Sequence, residues 1–207
     1  YDAANDRFLD YPGKQVLSKY NVHGLFVDNG SLWIGTYGNG IIKTNLTTGA
    51  LQTYNFAENQ TNSSCYCIFR DSKHRLWGTS MEGVYILDES SDQFKPVKSF
   101  KALTIDIDED RQGNLWFATQ GQGLWRLSST ASLGSLQTAK VWKQYLADEN
   151  DSTSILGDQV NCVQQNAQGK LFVATDQGLC EYLPGKDCFR SVHLIHPSVC
   201  VNSIVLN

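Results

Sequence analysis

The residues best suited to chemistry are an acidic run, Asp106, Asp108, Glu109 and Asp110, and a His/Cys group formed by Cys188, His193, His196 and Cys200. Closely spaced carboxylates invite a hard cation or a general acid. The run lacks the D-x-D-x-D-G spacing of a calcium loop, however, and Ile107 carries a strand through it. It reads as a solvated strand end, with Asp106 facing an interior axis and Asp110 opening a turn. His193-x-x-His196 leads into Pro197, and together with the cysteines it fits no standard closed zinc site. His23 and His74 stand alone. No G-x-S-x-G and no paired Cys/His constellation supplies a nucleophile. No catalytic residue, metal or cofactor is therefore expected.

A second set of polar residues becomes visible only through a repeat. Leu32-Trp33-Ile34-Gly35-Thr36 closes on Gly40-Ile41, and the phrase returns as Leu76-Trp77-Gly78-Thr79-Ser80 with Gly83-Val84. It returns again as Leu115-Trp116-Phe117-Ala118-Thr119 with Gly123-Leu124, and as Leu171-Phe172-Val173-Ala174-Thr175 with Gly178-Leu179. The loop just after the phrase differs in every copy. These loops, with the connections between units, would display Tyr37, Asn39, Met81, Glu82, Gln120, Gln122, Asp176 and Gln177 on one face. Amides, carboxylates and an aromatic ring are the groups that hydrogen-bond and stack on sugars. Tyr37, Asn39, Glu82, Gln120, Gln122, Asp176 and Gln177 are the candidate ligand-binding residues.

Each copy reads as strand, turn, strand, turn, strand, turn, strand, an antiparallel meander with no sustained helical period. Asp71, Asp110 and Asn166 open turns in which an Asx side chain bonds its own backbone, while Gly113 and Gly169 supply positive φ. The motif leucines are 44, 39 and 56 residues apart, near the roughly 40–50 residue period of propeller blades. Residues 128–140 and 146–157 stretch the last interval and read as surface insertions. The expected fold is all-β, a propeller segment of four-stranded blades over 21–58, 59–100, 101–146 and 147–197. Residues 1–20 would hold the outer strand of a preceding blade and 198–207 the inner strand of a following one. A hydroxyl column (Thr36, Ser80, Thr119, Thr175) and columns of short residues read as structural. The motif aromatic fills the gap between blades.

The totals suit this reading: 207 residues, 41% apolar, and 17 glycines against four prolines. A net charge of −4 with no basic stripe argues against nucleic acid. No apolar run reaches the roughly 18 residues of a membrane span. Residues 1–6 show no signal-peptide pattern, so any export signal lies upstream. Most of the six cysteines read as buried thiols, with a Cys180–Cys188 disulfide as the alternative.

The phrase L-W-[IF]-[GA]-T followed by G-[ILV], preceded by a turn such as Asp110-Arg111-Gln112-Gly113-Asn114 and trailed by an F-x-x-Y-type strand, resembles the two-component-regulator propeller repeat. Four copies cover nearly the whole chain. The resemblance implies part of a seven-bladed propeller in the periplasmic sensor region of a membrane-anchored hybrid two-component protein, with a histidine kinase elsewhere in the parent. It also implies a small carbohydrate ligand, contact with the rest of the same propeller and a neighbouring one, and a homodimer as a further partner. The segment itself would be non-catalytic. Gly78, where a bulky residue is usual, and Phe172, in place of Trp, depart from the pattern. The alternatives are a protein-interaction scaffold and, behind it, a propeller lyase or hydrolase.

Overall fold

The computed structural model describes residues 3–7, 17–56, 63–192 and 201–204. Within these, sixteen strands form four separate antiparallel sheets, each paired in chain order. Blade 1 comprises β1 (Val22–Asp28), β2 (Ser31–Thr36), β3 (Ile41–Asn45) and β4 (Leu51–Tyr54), and blade 2 comprises β5 (Ile68–Arg70), β6 (Leu76–Ser80), β7 (Gly83–Asp88) and β8 (Gln93–Pro96). In blade 3 these are β9 (Thr104–Glu109), β10 (Leu115–Thr119), β11 (Leu124–Leu127) and β12 (Trp142–Tyr145). Blade 4 holds β13 (Val160–Gln165), β14 (Leu171–Thr175), β15 (Gly178–Leu183) and β16 (Cys188–Val192). The all-β propeller architecture expected from the repeat is what the chain forms. The proposed outer strand around Phe8 and the His193/His196/Cys200 group lie outside the described residues.

Each column of the motif has an identifiable physical role. Thr36, Ser80, Thr119 and Thr175 are buried, and their hydroxyls donate to the carbonyls of Gly40, Gly83, Gly123 and Gly178 at 2.8, 3.2, 2.6 and 3.0 Å. The hydroxyl thus ties the loop after the phrase to the strand before it, satisfying a carbonyl that burial would otherwise orphan. Small residues permit the blades to converge: a Cβ on Gly24 would lie 2.6 Å from the Tyr66 carbonyl oxygen.

The motif aromatics fill the seams. Trp33 stacks on Tyr54 and meets Phe94 edge-on, between blades 1 and 2. Trp77 meets Phe117 at 5.6 Å between blades 2 and 3, and Trp116 meets Tyr182 at 4.6 Å between blades 3 and 4. Phe172, whose blade has no described full neighbour on that side, is only half-buried, and Leu25 and Val27 at the opposite end of the row are 65% and 63% exposed.

Gly78 has a specific reason. A Cβ there would come within 2.9 Å of both the Phe56 ring and Ile41. The missing side chain makes room for Phe56, which stacks on Tyr85 at 4.3 Å.

Two expectations change, and the disulfide alternative is excluded. Residues 128–140 are more than a surface insertion: the segment forms two 3-10 turns, Ser135–Gln137 and Ala139–Val141, and buries Ala131 and Leu136 in the core shared by blades 2 and 3. The second insertion is likewise anchored, with Ile155 buried under blades 3 and 4. Cys180 and Cys188 are free thiols, because antiparallel register sets Cys180 opposite Ser191 and Cys188 opposite Leu183. Cys65 and Cys67 precede β5. The Thr79 hydroxyl accepts the Cys67 N–H, replacing a ladder bond.

Residues 201–204 form no ladder. Even so, Val201 N–H donates to Thr175 C=O at 3.0 Å, just as Cys65 N–H donates to Thr36 C=O at 2.8 Å. This short segment occupies the place that an innermost strand takes against the preceding blade.

Candidate ligand-binding face

Every blade has two ends. One carries the turns between the first and second strands, the other the loops between the second and third together with the connections to the next blade. At the first end, Asp110 accepts from the backbone N–H of Gln112 (3.0 Å) and Asn114 (2.9 Å), and from the Trp116 indole N–H (2.8 Å). Asp71 does the same for Lys73, Arg75 and Trp77 and is also ion-paired to Arg75. Asn166 accepts from Gln168 and Lys170, and its strand carries Phe172 instead of Trp. An amide has one acceptor oxygen, which those two backbone donors occupy, so an indole N–H would find no partner.

The acidic run is engaged in the same way, which corrects its reading as a solvated strand end. Asp106 accepts the Val163 N–H at 3.0 Å, and Asp108 accepts the Gln165 N–H at 2.5 Å, so two carboxylates of blade 3 hold the innermost strand of blade 4. Glu109 reaches the other way, to the N–H and hydroxyl of Ser72 in blade 2. Burial, only partly offset by these bonds, raises the Asp106 carboxyl and pushes Asp108 up to about 6. Burial also holds the flanking thiols of Cys67 and Cys162 protonated, Cys162 at about 12. Among the described residues no cluster of His, Cys, Asp or Glu is arranged to hold a metal ion.

At the loop end, Glu82, Gln120 and Gln122 come together. They line a cleft of about 460 Å³ between blades 2 and 3, with Met81, Lys101 and Leu103 completing its wall. Backbone bonds shape it: Glu82 N–H donates to Ser80 Oγ, and Gln120 N–H to Leu103 C=O. The Gln122 amide touches the Lys101 carbonyl at 3.4 Å, while the Gln120 amide reaches Val160 C=O at 3.2 Å and ties the cleft to blade 4.

Tyr37 and Asn39 lie apart from this cleft. Tyr37 is 57% exposed with its ring 5.9 Å from that of His23, and Asn39 bridges to Ser63 in the connection to blade 2. Asp176 and Gln177 are exposed at blade 4, where Gln177 crowds Gly157. Lys101 and Leu103 were absent from the sequence-derived set. Their only signal is their place at the end of the connection entering blade 3.

No protein-family model matches the chain, and no curated protein matches it. Solved structures do. The extracellular domain of BT4673 from B. thetaiotaomicron, described as a hybrid two-component system, superposes with a TM-score of 0.65 at 21% identity over 90% of this chain and 24% of that one. The corresponding domain of BT3049 gives 0.69 at 20% identity over 93% and 25%. Virginiamycin B lyase from Staphylococcus aureus gives 0.63 at 14% identity over 86% and 57%. The chain therefore spans about a quarter of the length of the two sensor domains. These likenesses establish the fold and agree with the repeat that the motif resembles: the chain is built as propeller blades of the kind found in extracellular two-component sensor domains.

Proposed function

We propose that these blades belong to the extracytoplasmic sensor region of a two-component receptor and bind an oligosaccharide without catalysing a reaction. The observation that carries this reading is the cleft at the loop end. Glu82, Gln120 and Gln122, contributed by two blades, meet beside the apolar side chains of Met81 and Leu103. Carboxylate and amide groups match hydroxyls that both donate and accept, and the apolar wall suits the C–H face of a sugar ring. The similarity to the BT4673 and BT3049 domains supports the sensor context.

The carboxyls with raised titration, Asp106 and Asp108, are engaged by the next blade's backbone. This arrangement disfavours the lyase reading that the third structural neighbour raises. Ligand binding acts on a receptor only through different affinity for its two states, so a second propeller and a dimer partner in the parent are part of the proposal. So are the periplasmic setting and the histidine kinase.

Thermal unfolding with a panel of oligosaccharides tests the reading. A ligand at 100 times its Kd should stabilise the protein by about 2.7 kcal/mol, and Glu82→Ala with Gln122→Ala should abolish the shift. A panel that leaves the midpoint unmoved, while a protein partner is retained on the immobilised chain, would favour the scaffold alternative. The reading frame gives the second test. A membrane-spanning helix and a kinase module encoded with these blades are expected, and their absence would sink the sensor assignment.

A further inference from the structure

The innermost strand of blades 1, 3 and 4 carries an irregularity at its second residue. Pairing skips from Val22 to Gly24 in β1 and from Val160 to Cys162 in β13, and in β9 it shifts between the partners of Thr104 and Asp106. Tyr66 sits at the same place ahead of β5, its N–H on Thr79 C=O, with Cys67 C=O receiving the Thr79 N–H. The residues so placed are His23, Tyr66, Ile105 and Asn161, and Asn202 takes the matching position after Val201. A bulged residue leaves the ladder, and its side chain is re-aimed. All five stand at the loop end, where the innermost strands begin.

This column varies as the loops vary, unlike the hydroxyl and small-residue columns beside it. It divides into two arcs. In the first, the His23 ring lies 5.3 Å from Tyr66, edge to face, and 5.9 Å from Tyr37, tilted by 31°. In the second, the Asn161 amide nitrogen donates to Val201 C=O at 3.0 Å and contacts Asn202 Oδ1 at 3.3 Å, while Asn161 Oδ1 meets the Gln120 amide at 3.4 Å. Two loop residues, Tyr37 outside the cleft and Gln120 in its wall, each touch one arc.

We propose that this bulge column is a second carbohydrate-contact ring, Ile105 excepted because its side chain packs on the core between blades 3 and 4. The His23, Tyr37 and Tyr66 rings stack on one sugar unit, and the Asn161, Asn202 and Gln120 amides hydrogen-bond another. A sugar hydroxyl donates and accepts together, so it can insert between the amides without leaving either unsatisfied. Asp106 directly follows the bulged Ile105 in β9, and the chain carries a net charge of −4. The ring therefore favours a neutral sugar over a phosphorylated or sulfated one. This inference rests on the oligosaccharide reading proposed above.

Saturation-transfer difference NMR on the full-length protein tests it, with neutral hexasaccharides of glucose, xylose, arabinose and mannose as probes. Loss of one stacking ring should weaken binding by about three- to tenfold in Tyr37→Ala, in Tyr66→Leu and in His23→Ala, with the thermal midpoint unchanged in Tyr37→Ala. If Tyr66→Leu fails to fold, Tyr66→Phe, which keeps the ring, should bind like the parent while Tyr37→Ala still does not. A hexasaccharide that binds all three ring variants as tightly as the parent, yet is lost in Glu82→Ala, overturns the ring and leaves the cleft reading standing. A parent protein that binds none of the four probes overturns both.

Discussion

The two ends of the blades obey different rules. At the turn end, Asp71 and Asp110 are 3% and 6% exposed and Asn166 accepts two backbone donors, so the hairpins of blades 2, 3 and 4 are held by one repeated device. At the loop end, the residues after the motif share only the buried hydroxyl beneath them, and Tyr37 and Met81 are 57% and 46% exposed. The same backbone is thus built four times with side chains constrained at one end and free to vary at the other. Function has room only where the blade does not need the side chain for its own stability.

The contrast can be broken most forcefully at Asp110. Asp110→Ala strands the buried Trp116 indole and two backbone N–H groups and should cost about 4 kcal/mol, lowering the thermal midpoint by roughly 8–16 °C. Asp187→Ala follows. This turn residue accepts from Tyr145 and Tyr182 at 2.6 and 2.5 Å and from Arg126 and Lys143, and its partly exposed network is worth about 2 kcal/mol in urea unfolding. Asn166→Ala loses two backbone acceptor bonds but strands no indole, so chemical denaturation should show a loss of about 1 kcal/mol. An Asn166→Ala penalty equal to that of Asp110→Ala would refute the role given to the indole bond.

Acid should separate two carboxylates of the blade 3–blade 4 seam. Burial raises Asp108 to about 6 in the folded protein. The stability it contributes is therefore complete below the ordinary aspartate range, near 3.8, and is lost as pH rises through about 6. Asp187 runs the other way. Burial alone would raise it, but bonds from Lys143, Tyr145 and Tyr182 and the Arg126 charge hold it below that range. Its contribution persists above the ordinary range and is lost only in stronger acid. Asp108→Asn should flatten the stability profile between pH 4 and 6, followed by urea midpoints, and leave the more acidic limb unchanged. At the loop end, Tyr37→Ala and Gln122→Ala should each move stability by less than about 0.5 kcal/mol.

Much of this architecture is legible in the residues themselves. Leu-Trp-x-Gly-Thr recurs because inter-blade packing and the hydroxyl-to-carbonyl bond demand the same types at each copy. What stays hidden depends on a partner from another blade. Period-two patterning tells which face Asp106 and Asp108 occupy, but not that Val163 and Gln165 bring N–H groups to meet them. Gly78 reads as a defect until Phe56 fills its place, and Leu136 looks like loop until it enters the core. For the site, the loop residues could be named individually. That Glu82, Gln120 and Gln122 meet while Tyr37 joins His23 follows from the turn of one blade against the next. The bulge column is hidden in the sequence because an unpaired residue leaves no periodic trace.

The division between the two ends is tested most directly by thermal unfolding with and without a bound oligosaccharide, run on Asn166→Ala and on Glu82→Ala/Gln122→Ala side by side. The turn-end variant should melt lower yet show the full ligand-induced rise, while the loop-end variant should melt with the parent and show no rise. A loop-end variant that melts well below the parent, or a turn-end variant that loses the ligand response, would contradict the account.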